Sequence, residues 1–221
     1  MPLEQIRDFL NNREISKMQH MLQNQKEAIL QKKKELELME RKIDQQLVLI
    51  EDAIHSDLGR ISVKHILEKR VAWLKNTVSP KSYFDLETSI RQLEQQQKDA
   101  VAFLGKVGVG IAKEQLQNRQ YGRYDMVFLI LDREDSYEGT AVELPGETCV
   151  SIRFCGSHSE APLYYQKLDD FIVSHGFAIT GFSREITMID YGLTNDTSKF
   201  VTEIRIPVEP LSQKTSVSLH R

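Results

Sequence analysis

Between Glu14 and Ser56 the chain contains neither glycine nor proline, and within that stretch Ile15, Leu22, Ile29, Leu36, Ile43 and Ile50 recur at every seventh position. The intervening residues are mostly Gln, Lys, Glu, Leu and Met, whose straight side chains lose little freedom in a helix. The spacing predicts one continuous helix about 60 Å long at 1.5 Å rise per residue. A helix of that length cannot bury its whole apolar row against a domain of this size, so the row needs a partner. The companion positions Met18, Gln25, Lys32, Met39, Gln46 and Ala53 are half polar, which loosens the seam. Two arrangements fit: a helix packed on its own domain, or a two-chain coiled coil that makes the protein a homodimer. Sustained heptads favour the second.

The remainder of the 221 residues is enough for one well-sized core. A formal net charge of −3 gives no general attraction to nucleic acid or to an anionic membrane. Lys32 to Lys34 lie beside Glu35, Glu37 and Glu40 and read as a solvated helix face. No segment resembles a signal peptide, and the longest strongly apolar run, Met126 to Leu131, is too short to span a bilayer. A soluble, cytoplasmic protein with no membrane association is expected. Cys149 and Cys155, the only cysteines, sit in one strand-like stretch too far apart to pair. The six histidines show no metal-ligand spacing, and neither a phosphate loop nor a nucleophile elbow is present. Gly105, Gly108 and Gly110 are expected to mark a turn and a bulge. No cofactor and no metal are implied.

Along the chain, Leu3 to Leu10 reads as a short helix and Ser56 to Gly59 as a break. Ile61, Val63, Leu67, Val71 and Trp73 then begin strand-like alternation. An internal repeat follows. Gly110-Ile111-Ala112-Lys113-Glu114 returns 71 residues later as Gly181-Phe182-Ser183-Arg184-Glu185. The first copy is preceded by a strand near Arg70 to Leu74, a loop with Ser79 and Pro80, and a helix carrying Leu86, Ile90, Leu93, Val101 and Leu104. The second is preceded by a strand near Thr148 to Phe154, a loop with Gly156 and Pro162, and a helix carrying Leu163, Leu168, Phe171 and Ile172. Each copy ends in an apolar strand, Tyr124 to Asp132 and Phe200 to Val208. The expected fold is α+β: a dimerisation region over 1–56, a duplicated β-α-β-β domain over 57–209 with repeats at about 61–133 and 139–209, and a poorly ordered tail over 210–221. A ligand cleft is expected where the halves meet, with Glu114 opposite Glu185.

Carboxylates inside apolar strands are the chemical feature that stands out. Alternation puts Val201, Glu203 and Arg205 on one face and Thr202, Ile204 and Ile206 on the core face. Glu203 then points to the opposite surface, either paired with Arg205 or lining the cleft. Glu185, followed by Ile186, Met188 and Ile189, has the same two readings. Tyr165, Tyr191, Phe182 and Trp73 are core residues by default and stacking surfaces if the cleft reaches them.

Leu3-Glu4-Gln5-Ile6-Arg7-Asp8-Phe9-Leu10 before the long helix, the duplicated unit, Ser183-Arg184-Glu185-Ile186, and Phe200 to Val208 together resemble a MerR-family transcription regulator of the BmrR multidrug-sensing type. The C-terminal part resembles the GyrI-like effector-binding domain. The resemblance implies a ligand-responsive activator whose long helices pair antiparallel in a homodimer. It also implies an aromatic pocket whose buried glutamates, Glu185 and Glu203 here, accept lipophilic cations. DNA would be contacted only through a winged helix-turn-helix domain that nothing in this chain supplies. Arg205 stands where an aromatic side chain is expected, which departs from the cation-binding pattern. Similar folds imply two further readings: a hydrolase of small electrophiles using the paired glutamates as acid and base, and a protein-interaction module of the gyrase-inhibitor kind.

Overall fold

The computed structural model describes residues 14–74, 107–132, 135, 137 and 140–211. The expected short helix at Leu3 to Leu10, the Ser79-Pro80 loop, the helix carrying Leu86 to Leu104 and the tail beyond Leu211 lie outside them.

Helix α1 spans Ile15–Ile54 without interruption. Contacts along its exposed surface are local, such as Gln31 to Glu35 and Lys33 to Glu37, each contributing a few tenths of a kcal/mol. Residues up to Val48 form one compact unit and Leu49 onward another. The second unit begins inside the helix rather than after it, because Ala53 is buried against Ile189 and Val201.

The second unit is built on nine described strands: β1 Ile61–Ile66, β2 Lys69–Leu74, β3 Val107–Gly110, β4 Met126–Leu131, β5 Ala141–Leu144, β6 Glu147–Cys155, β7 Phe177–Ile179, β8 Arg184–Ile189 and β9 Val201–Pro210. Between them lie a short helix, α2 Lys113–Gln117, and α3 Ala161–Ser174. The strand order is β1-β6-β9-β8-β3-β4-β2-β5, with β7 also paired to β9. Every pairing is antiparallel. Two trios, β6-β9-β8 and β3-β4-β2, therefore meet at the β8/β3 junction.

Cross-strand partners share a sheet face, so register separates the side chains into two sets. On one face Val127, Val109, Glu185, Ile204 and Ile152 form a continuous row. Helix α3 covers this face with Tyr165, Leu168 and Ile172 at helical spacing, and these join Leu129, Phe154 and Ile206 in the main core. On the other face Trp73, Phe128, Gly108, Ile186, Glu203 and Arg153 form a second row. Val71, Phe128 and Ile186 are buried there, with Trp73, Ile130 and Phe182 packed on them. Burial on both faces is why Met126 to Leu131 reads as an unbroken apolar run.

Gly108 and Gly110 are strand residues, not the turn and bulge expected of them. A Cβ at Gly108 would lie 2.4 Å from the Phe128 ring, and one at Gly110 would lie 2.6 Å from the Ser183 carbonyl oxygen. Each glycine is where a neighbour passes closest to the β3 backbone. The two copies of the repeated motif also differ in structure: Lys113 and Glu114 open α2, whereas Arg184 and Glu185 open β8. Glu114 is exposed, and the residue opposite Glu185 across the junction is Val109.

Candidate functional site

Glu185 and Glu203 do not line one cleft. Glu185 pairs with Ile204 and Ile186 pairs with Glu203, so the two carboxyl groups project from opposite faces of the sheet.

Glu185 is wholly buried on the α3 face. Its oxygens accept from the Tyr124 hydroxyl at 2.7 and 2.8 Å, and His158 Nδ1 lies 2.5 Å from Oε1. Tyr165 extends the group through Ser183, whose Oγ lies 2.9 Å from the Tyr165 hydroxyl and accepts the Ile111 amide. Burial, and then the nearby Glu185, hold the Tyr124 and Tyr165 phenols well above their ordinary pKa, so both stay protonated donors. A buried carboxyl group is tolerable only when its oxygens are satisfied, and here the protein's own side chains satisfy them. The network ties the loop before α3 to the segment that leads into β4 and to β8.

The opposite face combines rings and charges. Trp73 meets Phe182 edge to face at 5.1 Å, and both meet Phe128. Beside this cluster, the Arg184 guanidinium lies 5.9 Å from the Phe182 ring centre and donates to Glu147 and to the Cys149 sulfur. Arg205 donates to Glu203 Oε2 at 2.6 Å. Arg153 Nε lies 3.5 Å from Glu203 Oε1, and its Nη2 donates to Asp52 Oδ2 at 2.5 Å. Glu203 is 3 % exposed. The expected Glu203–Arg205 pairing is present, but the face carrying it is buried rather than solvated. Burial lowers the Arg153 pKa, but Asp52 and Glu203 outweigh it and leave a net rise.

The sequence-derived set therefore divides. Glu203, Arg205, Trp73 and Phe182 share one face, with only Trp73–Phe182 and Glu203–Arg205 in contact among the four, and Glu185 and Tyr165 lie on the other. Tyr191 is exposed and packs edge-on to Phe200. Sequence reasoning missed Phe128, Arg153 and Arg184 on the first face and Tyr124 and His158 on the second. Alternation along Met126 to Leu131 separates Phe128 from Val127 and Leu129, but nothing local marks its partner strands. A further groove of about 440 Å³, lined by Glu68, Lys69, Arg70, Leu131, Asp132 and Glu143, contains none of the candidates. Among the described residues no cluster of His, Cys, Asp and Glu has the arrangement of a metal site, and no helix is long and apolar enough to cross a membrane.

Residues 60–209 match the GyrI-like small molecule binding domain, and the chain belongs to that family. No curated protein matches the sequence. Among solved structures, EcmrR in its DNA complex is 18 % identical, with 96 % of this chain and 78 % of EcmrR covered at a TM-score of 0.54. An uncharacterized conserved protein from Listeria innocua is 14 % identical over 70 % of this chain and 95 % of its own, TM-score 0.51. A hydrolase from Listeria innocua is 13 % identical over 72 % of this chain and 96 % of its own, TM-score 0.45. At these identities the likeness is one of fold.

Proposed function

We propose that this chain is the effector-binding and dimerisation region of a MerR-family transcriptional regulator, and that the effector is a small aromatic compound held on the Trp73, Phe182, Glu203 and Arg205 face. The observation that carries the reading is the single register row in which Trp73 and Phe128 run through Gly108 and Ile186 into Glu203 and Arg153. Rings supply stacking area and the neighbouring charges supply orientation, the usual division of labour in a small-molecule site. Family membership supports the binding role. The fold likeness to EcmrR in its DNA complex, which spans 96 % of this chain, supports a regulatory setting. DNA contact would belong to a separate DNA-binding domain, since none of the described elements reads as a recognition helix.

Long helix α1 supports the homodimer, because Ile15, Leu22, Ile29, Leu36 and Ile43 are each more than half exposed and such a row gains by pairing. Glu185 takes a structural role in this reading. The hydrolase reading needs two glutamates facing one substrate, and Glu185 and Glu203 lie on opposite faces.

Trp73 is the chain's single tryptophan, so its emission reports directly on the proposed site. Titration with aromatic compounds should change Trp73 fluorescence saturably, and Phe182→Ala should weaken the response about tenfold. Saturable binding by calorimetry that leaves Trp73 emission untouched would place the ligand elsewhere and end the proposal.

A further inference from the structure

Arg184 and Arg205 are directly opposed across β8 and β9. Two like charges at one cross-strand position repel, and each is drawn to a different carboxylate. Arg184 reaches Glu147 on β6, while Arg205 turns back along its own strand to Glu203. Both Nε atoms are buried and, among the described residues, have no hydrogen-bond partner. Arg184 is itself 5 % exposed. A guanidinium offers five donors in a fixed fork that suits a carboxylate, and a buried N–H left unpaired costs about 1–3 kcal/mol.

The charge balance has the same sign. Arg153, Arg184 and Arg205 face Glu203 and Glu147 within the sheet, and the third carboxylate, Asp52, sits at the outer end and is half exposed. The inner part of the row carries more buried positive than negative charge. A cation brought here would lose its hydration without gaining an unshared carboxylate, since both oxygens of Glu203 already face arginines. An anion would gain two guanidinium groups. The Phe182 ring adjoins Arg184, and Trp73 meets Phe182 edge to face, so a flat apolar body and a negative group would be accommodated side by side.

From this geometry we infer that the effector is an aromatic carboxylate, its carboxylate received between Arg184 and Arg205 and its ring against Phe182 and Trp73. The inference rests on placing the binding site on this face. Three probes of one shape separate the possibilities: naphthalene-2-carboxylate, neutral 2-naphthamide and cationic 2-naphthylmethylammonium, titrated calorimetrically into the full chain. The carboxylate should bind at least about tenfold more tightly than the amide, with the cation weakest. Arg184→Gln and Arg205→Gln, each checked by thermal unfolding, should remove about tenfold from carboxylate affinity and leave the amide within about twofold. The charge order in the unsubstituted protein decides the question even if Arg184→Gln fails to fold. The cation binding as tightly as the carboxylate, or equal losses for carboxylate and amide, would overturn the anion preference while leaving an aromatic site in place. No binding by any probe, or binding unaffected by Phe182→Ala, would overturn the site reading and this inference with it.

Discussion

Arg153 joins Glu203 of the sheet to Asp52 near the end of the long helix, with Nη2 donating to Asp52 at 2.5 Å and Nε 3.5 Å from Glu203. The helix end and the proposed ligand face thus share one guanidinium. A ligand that alters the Glu203–Arg205 pair acts within one side chain of α1, a short physical route from binding to the helix.

Arg153→Met keeps the stem and removes the charge, leaving Glu203 buried with Arg205 as its remaining partner. It should cost about 3 kcal/mol in chemical denaturation. Asp52→Asn should cost about 0.5 kcal/mol, because Asp52 is half exposed and solvent screens the pair. The Arg153 hydrogen bond, followed by the opposing cost of burial, leaves the Asp52 pKa below its ordinary 3.8. A depressed carboxylate pKa contributes stability above the ordinary value and loses it as pH falls through the lower folded value. The difference between wild type and Asp52→Asn should therefore be present at neutral pH and vanish well below pH 3.8. Equal costs for the two variants would mean that Asp52, not Glu203, is what Arg153 supports.

Glu185→Gln tests the division of labour between faces. The amide retains one acceptor for Tyr124 but meets His158 less well, so a stability loss of about 1–2 kcal/mol is expected. Affinity for an aromatic ligand, read from Trp73 emission, should stay within about twofold. A large affinity loss at unchanged stability would move the binding site to the α3 face.

The buried phenols predict alkaline behaviour. The ordinary tyrosine value is 10.0, and burial, followed by Asp169, pushes Tyr121 up to about 12, while Tyr124 and Tyr165 stand higher still. A raised phenol pKa means the unfolded chain loses its proton first. Stability should accordingly be unaffected below pH 10 and fall as pH rises above it. Tyrosinate absorbance should show Tyr124 and Tyr165 ionising only together with unfolding. Their reversible titration in the folded protein near pH 10 would mean that the α3 face is open to water.

Gly108 gives a packing test. Ala at this position sets a methyl group 2.4 Å from the Phe128 ring, and the ring must turn or β3 must shift. A cost of about 1–3 kcal/mol follows from overpacking. Because Phe128 packs against Trp73 and Phe182, ligand affinity should fall as well, and Trp73 emission should change without ligand. Unchanged emission in Gly108→Ala would show that the ring cluster is not mechanically coupled to the strand junction.

What the sequence disclosed was local. The absence of glycine and proline over Glu14 to Ser56 fixes α1, and strand alternation separates Glu203 from Ile204. Alternation assigns side chains to opposite faces but does not say what covers each face, so the Glu203–Arg205 pairing is legible in it and the burial of that pair's face is not. The repeated glycine motif misleads for a related reason. Gly110 is small so that the Ser183 carbonyl can approach it, a long-range demand, whereas Gly181 precedes β8. Similar residues answer to different neighbours, and Glu114 and Glu185 part company. The row from Trp73 to Arg153 is assembled by register among six strands, β2, β4, β3, β8, β9 and β6. None of that register is written in any one segment.

The heptad row of α1 yields the last expectation. Ile15, Leu22, Ile29, Leu36 and Ile43 remain more than half exposed, and burying one such side chain stabilises by about 1.5–3 kcal/mol. Five of them on each of two helices exceed the entropy of association even with Gln25, Lys32 and Gln46 diluting the second seam row. Ala53 differs: it is already buried against Ile189 and Val201, so the seam should end before it. The protein should sediment as a dimer at tens of micromolar. Placing Lys at Ile29 and Ile43 puts four buried charges into a dimer and should give monomers, with circular dichroism showing some helix lost in the unpaired region. The same pair of substitutions should leave Trp73 emission unchanged, because the ring cluster belongs to the other compact unit. A wild-type chain that sediments as a monomer at this concentration would refute the pairing and leave the apolar row without a function.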